Sequence, residues 1–319
     1  MKEMTIEPLL GGHGQIESEP GWFRRALRMP RIVVGGAVLL WMVLTCVLTL
    51  PWTLDPQSVW YFDAQDANHS ELAPETERLK FLFGTDKLGR PLLPRCLLGG
   101  VISLAVGLLS AILAVVLGVS VGLLAGFKGG WLDHVLMRGV DILYSLPYVL
   151  LIILFKIALE EPLRSIFSRN VSNFVVMFLA IGLVSWLTMA RVIRGQVLAL
   201  RNQPFIEAAR ALGLSESRIF LKHLLPNLIG PIVVYGTLTV PQAILQESFL
   251  SFLGLGIDPL PSWGALASEN RIAALNMIDP KWWLLVFPCF LLMVTLLSLN
   301  FVGDGLRDLL DPKRDATKL

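Results

Sequence analysis

The chain has 319 residues, of which 54% are hydrophobic and only 16% charged, and its mean hydropathy is +0.65. Soluble domains carry about 25% charged residues, so a soluble globular protein is excluded. A net charge of +2 gives no electrostatic footprint for a nucleic-acid partner.

A bilayer core of about 30 Å needs roughly 20 apolar residues per helix. Six runs meet that length: Ile32–Pro51, Val101–Ala125, Gly139–Leu159, Phe174–Val192, Leu228–Leu250 and Trp283–Val302. In lipid a segment must satisfy its own backbone hydrogen bonds, and runs that do not alternate can do so only as helices. The expected fold is therefore all-α and polytopic, with six transmembrane helices.

Taken in chain order, residues 1–30 form a polar segment, with Trp22, Phe23, Arg24 and Arg25 placed to lie on a membrane surface. A signal peptide is disfavoured for the first run, because the run is too long and Pro51-Trp52-Thr53 is a poor cleavage site. Residues 31–303 form the membrane domain and 304–319 a charged tail. Counting Lys and Arg on alternate loops puts both ends in the cytoplasm. The outer side then holds the loop 52–98, the short loop 159–173, with Glu160, Glu161, Arg164 and Arg169, and the loop 251–282. The inner side holds the turn 126–138 and the loop 193–227.

Several features inside the runs read structurally. Gly118 and Gly122 fit close helix packing on the second run. Lys156 is expected to reach the outer interface, and Asp141 to lie near the inner end of the third helix. Glu247 and Ser248 have two readings. They line a translocation path, or they belong to a structural polar seam that includes Gln242 and Gln246. Cys46, Cys96 and Cys289 have neither zinc spacing nor a disulfide framework and read as small hydrophobes.

The inner loop carries the most information. Pro204 suits the first position of a helix. Phe205, Ala208, Ala209 and Leu212 then recur on one face. Gly213 can end that helix in the left-handed conformation. Ser215 is placed to cap a second helix and Glu216 to favour its positive end. Ile219, Phe220, His223 and Leu224 share a face, and Pro226 stops the helix. Two short amphipathic helices at a fixed angle make a knob whose apolar face needs a cover. An ordinary helix pair lying on lipid is the alternative.

The pattern Glu207-Ala208-Ala209, Gly213, Ile219, Leu225-Pro226 resembles the "EAA" loop of the membrane subunits of bacterial ABC importers, which implies an ATPase-coupling helix near Ser215–Phe220. The segment Gly84-Thr85-Asp86-Lys87-Leu88-Gly89-Arg90 resembles the "GTDxxGRD" signature of the dipeptide, oligopeptide and nickel branch. Gly129-Gly130-Trp131-Leu132-Asp133, Ser145-Leu146-Pro147, Leu250-Ser251-Phe252-Leu253-Gly254-Leu255-Gly256 and Pro261-Ser262-Trp263-Gly264 match the same branch, in its second-permease type. The resemblance implies a type I ABC importer transmembrane domain in the inner membrane. It implies a pore shared with a second homologous permease subunit, two ATPase subunits docked from inside, with the knob inserted into a groove on one of them, and an extracytoplasmic substrate-binding protein. It also implies that Ile219 and Phe220 fill a groove on the ATPase. Short peptides are the implied substrate; nickel or another small solute is the alternative within the family, and a secondary transporter the alternative outside it. The signature usually continues Arg-Asp-x-x-Ser-Arg, whereas this chain reads Arg90-Pro91-Leu92-Leu93-Pro94-Arg95.

No Gly-x-x-x-x-Gly-Lys-[Ser/Thr] occurs; Gly126 to Gly130 is only a glycine-rich turn. ATP and Mg are therefore expected on the partner ATPases, with no cofactor on this chain. His13, His69, His134 and His223 are scattered, and neither a metal site nor catalytic residues are expected.

Overall fold

The computed structural model describes residues 26–27 and 29–310. His13, the surface segment Trp22–Arg25 and residues 311–319 of the tail lie outside them.

The chain runs through α1 (Pro30–Leu48), α2 (Leu92–Lys128), α3 (Gly130–Tyr144), α4 (Tyr148–Arg164), α5 (Arg169–Arg201), α6 (Pro204–Ala211), α7 (Glu216–Phe252), α8 (Trp263–Glu269) and α9 (Trp283–Leu310). Five of these, α1, α2, α5, α7 and α9, are long and apolar enough to cross a membrane singly. The sixth passage departs from the expected single helix over Gly139–Leu159. α3 and α4 meet at an elbow of 97°. The elbow follows from Leu146-Pro147: the pyrrolidine ring disfavours helical backbone at the residue before it, and Pro147 itself is extended, with ψ 124°. Hydropathy continues across the break, so the run looks unbroken.

Packing between α2 and α5 sets the core. A Cβ added at Gly118 would come within 2.5 Å of Met189 Cβ, one at Gly122 within 2.6 Å of Ala190 O, and one at Gly126 within 2.8 Å of Val197 Cβ. These glycines are spaced four apart, so they line one face of α2 and let the α5 backbone approach. Around this contact, Val106, Met177, Ile181, Val184 and Ile152 are fully buried. α3 is tied back to α5 by Arg194 Nη2 donating to Asp133 Oδ2 (2.7 Å) and Arg191 Nη2 to Asp141 Oδ1 (2.7 Å).

α2 and α5 both end beside α6, where Phe127 and Leu200 pack on Ile206. The start of α1 and the end of α9 meet at that same end of the bundle, since a Cβ on Gly305 would strike Ile32 and one on Gly230 would touch Leu310. The far end holds residues 55–91, the 165–168 turn and residues 253–282, where Arg169 pairs with Asp258 at 2.9 Å. The described chain thus makes an even number of passes.

The expected stop at Pro226 is not observed. The chain passes through a π-helical turn at Phe220–Leu224 and continues as helix to Phe252. The wider turn carries the backbone past a residue with no N–H to donate. Large apolar side chains including Leu40, Trp41, Leu108, Ile112 and Val116 are exposed around the bundle, as expected of a surface that meets lipid or another apolar surface rather than water.

Candidate functional site

At one end of the bundle is the knob. α6 buries Ile206 and Ala209, which pack with Ile219 and Leu224 against Phe127 and Leu200. Of the expected apolar face only Ala209 turns inward, beside Ile206. Phe205, Ala208 and Leu212 point outward, with Leu212 80% exposed, and Leu221 lies exposed nearby. Ile219 is 0% exposed, so it holds the knob together and cannot fill a partner's groove. Phe220 is half-buried, its ring centroid 5.0 Å from that of Phe127.

Gly213 has φ 78°, the left-handed turn its lack of Cβ permits. Ser215 occupies the cap position of α7, but its side chain makes no capping bond. Rigidity across the turn comes from Arg210, whose Nε donates to Glu216 Oε1 at 2.8 Å and Nη2 to Oε2 at 3.3 Å. Glu207, Pro226 and Ser215 are exposed and Leu225 is half-buried.

At the opposite end the signature residues form a closed unit. Gly84 and Gly89 have φ 75° and 69°. A Cβ on Gly84 would lie 2.6 Å from Leu72 O, and one on Gly89 1.8 Å from Asp66 O. Thr85 Oγ1 accepts from Leu72 N–H at 2.8 Å and donates to His69 O. Asp86 is 1% exposed and accepts four bonds. Leu88 N–H and Arg90 N–H reach Oδ1, each at 2.9 Å. Arg90 Nε and Arg95 Nη1 reach Oδ2, each at 2.7 Å. Arg90 also holds Asp63, at 3.0 Å, and Glu269, while Arg95 Nη2 donates to Glu269 Oε2 at 2.8 Å.

Burial works against the charge on Arg90, but Asp86 and Glu269 outweigh it and raise its pKa. Burial likewise opposes the charge on Glu269, and Arg95 and Arg90 overcome it, holding its pKa below the ordinary value. Arg95 stands at the last position of the signature's continuation, but sequence alone assigns it no role, and Glu269 escaped the sequence reading because it lies far along the chain from both arginines. The departures at Pro91 and Pro94 are accommodated, because Pro91 is the cap of α2 and Pro94 lies in its first turn, where backbone donors have no intrahelical partner.

Beside this network lies a cavity of about 640 Å³ bordered by Tyr61, Asp63, Arg90, Arg95, Asp258 and Glu269. Glu247 does not open into it. Glu247 is 0% exposed and accepts from Ser251 Oγ at 2.7 Å and, more weakly, from Ser103 Oγ at 3.3 Å and Ser248 Oγ at 3.4 Å. It is part of a structural seam, but one of serines; Gln242 and Gln246 instead line a separate cavity with Tyr148 and Ser185. Lys156 reaches the far-end loop, where its Nζ donates to the carbonyls of Leu255 and Gly256. Among the described residues no group of three His, Cys, Asp or Glu is placed to hold a metal ion.

An all-helical bundle of six membrane passages, with a rigid knob at one end and a pinned loop at the other, defines a polytopic membrane component. Residues 118–316 match the family described as binding-protein-dependent transport system inner membrane component, and the chain belongs to that family. It is 45% identical over 302 residues to the oligopeptide transport system permease protein OppC of Escherichia coli (strain K12), covering 94% of this chain and 93% of that protein. It is 39% identical over 290 residues to the dipeptide transport system permease protein DppC of Bacillus subtilis (strain 168), covering 91% and 84%. The solved inward-facing MetNI methionine ABC transporter has a chain of similar fold, with a TM-score of 0.54 at 21% identity over 69% of this chain and 98% of that one.

Proposed function

We propose that this chain is one of two homologous permease subunits of an ATP-driven importer of di- or oligopeptides. The knob faces the cytoplasm and the signature loop faces outward, so both termini are cytoplasmic, the membrane domain covers residues 31–303 and residues 304–319 form the tail. Two ATPase subunits bind ATP and Mg and dock from inside, one of them on this knob. An extracytoplasmic binding protein presents the peptide to the outer loops.

The observation that carries this reading is the knob itself. Phe205, Ala208, Leu212 and Leu221 are exposed apolar side chains on a unit made rigid from beneath by Ile206, Ile219 and Leu224 and from the side by the Arg210–Glu216 pair. Such a patch marks an interaction surface, and we assign it to a partner protein. Glu207, Gly213, Ser215, Leu225 and Pro226 shape its outline, and ATP-driven movement of the ATPases acts on the bundle through it. The peptide assignment rests on the names of the relatives, OppC and DppC.

Purification of the tagged chain in mild detergent, with mass spectrometry of its companions, tests the assembly. An ATPase and a second permease are expected. Leu212→Asp and Gly213→Val are expected to abolish peptide uptake and ATPase recovery while leaving membrane insertion intact. Normal uptake in both variants contradicts the docking role.

A further inference from the structure

Where α4, α5 and α7 converge, about halfway along α5, ten residues line a cavity of about 200 Å³, and none of them is Asp, Glu, Lys, Arg or His. The elbow between α3 and α4 brings Tyr148, the first residue of α4, to this point. Tyr148 Oη donates to Gln246 Oε1 and lies 3.1 Å from Ser185 Oγ. That donation determines how the Gln246 carboxamide faces: its oxygen is occupied, and its NH₂ is left with two donors. Gln242 lies one turn earlier on the same helix face, and its carboxamide has no hydrogen-bond partner among the described residues. Thr188, Tyr235 and Thr239 complete the polar lining.

Polar groups at membrane depth are costly unless something pairs with them, and lipid tails cannot. Two carboxamides at i and i+4 on a helix have Cβ atoms about 5–6 Å apart, and each combines a C=O acceptor with NH₂ donors. The main-chain amide of a peptide presents the complementary C=O and N–H. A site without charge also does not sort its ligands by the sign of their side chains.

We propose that Gln242 and Gln246 form a hydrogen-bonding site for the main-chain amides of a peptide crossing the bundle, with Tyr148 as the residue that orients Gln246. The proposal rests on the peptide-import reading and adds a chemical basis for passage of peptides irrespective of side chain.

The test uses the whole complex reconstituted in proteoliposomes with saturating loaded binding protein. The probes are trialanine and its analogue with one amide replaced by an ester, which loses an N–H donor and weakens a carbonyl acceptor. The native complex is expected to carry the amide several-fold faster than the ester. Gln242→Leu and Gln246→Leu are expected to lower amide transport by about tenfold, the scale of one lost hydrogen bond, and to bring the amide-to-ester ratio close to one. Gln242→Asn, which keeps the carboxamide, is expected to retain discrimination. Leu245→Ala, on the outward face of the same helix, leaves both rate and ratio unchanged. A merely structural role lowers both rates and preserves the ratio, so a native ratio in Gln242→Leu and Gln246→Leu overturns the site. If the native complex hydrolyses ATP but carries no peptide, the import reading fails and the proposal fails with it.

Discussion

Asp86 is a carboxylate almost wholly removed from water, and it persists there because four donors converge on it. Removing one partner of a buried pair leaves charge uncompensated. Arg95→Met is therefore expected to cost about 3 kcal/mol, read as a lowered Tm of the purified protein, whereas Lys87→Met, at an exposed position in the same loop, leaves Tm unchanged. Acid acts on the same network. Because the folded pKa of Glu269 is depressed, its contribution to stability is present above the unfolded pKa and is lost as pH falls through the folded one. The 52–98 loop is expected to loosen below the ordinary glutamate range and to stay pinned at neutral pH, measured by hydrogen exchange across residues 60–90. Gly84, Thr85, Asp86, Gly89 and Arg90 were legible in the sequence because a short motif holds them together. Glu269 was not, because only the folded bundle brings it to Arg90 and Arg95.

Among the helices, contact between α2 and α5 depends on the absence of side chains. Gly118→Leu is expected to destabilise the protein by about 1–3 kcal/mol through overpacking. Gly139→Ala, where an added Cβ meets nothing within 4 Å, has no comparable packing cost. Thermal melting of the two variants in one detergent checks this. The glycine spacing was readable in advance because four-residue periodicity is intrinsic to a helix. The elbow was not, since hydropathy is blind to direction and only Leu146-Pro147 carries the signal. The exposed stripe of α6, Phe205, Ala208 and Leu212, was readable from helical period. The inward-facing Ile206 was not, because only contact with Phe127 and Leu200 buries it.

For the molecule as a whole, the number of passages follows from apolar length and was visible at once, while the arrangement of the ends needed tertiary contacts. Met277 is fully exposed at the far end and Leu212 is 80% exposed at the knob. Single cysteines at these positions, with Cys289 replaced by serine because it is the exposed native thiol, are expected to react with an impermeant reagent from opposite sides of the membrane. Labelling of both from one side contradicts the six-passage topology.

One rod joins these regions. α7 begins within the knob, carries Gln242 and Gln246 in its middle reach, and ends beyond Glu247. Its 37 residues extend about 55 Å at 1.5 Å per residue. Pro226, Pro231 and Pro241 each remove a backbone rung, so the rod resists compression along its axis while yielding to bending at set points. The serine seam clamps its far end through Glu247. Any bending force applied at the knob would therefore flex the rod at these prolines, the last of which, Pro241, adjoins Gln242 beside the cavity.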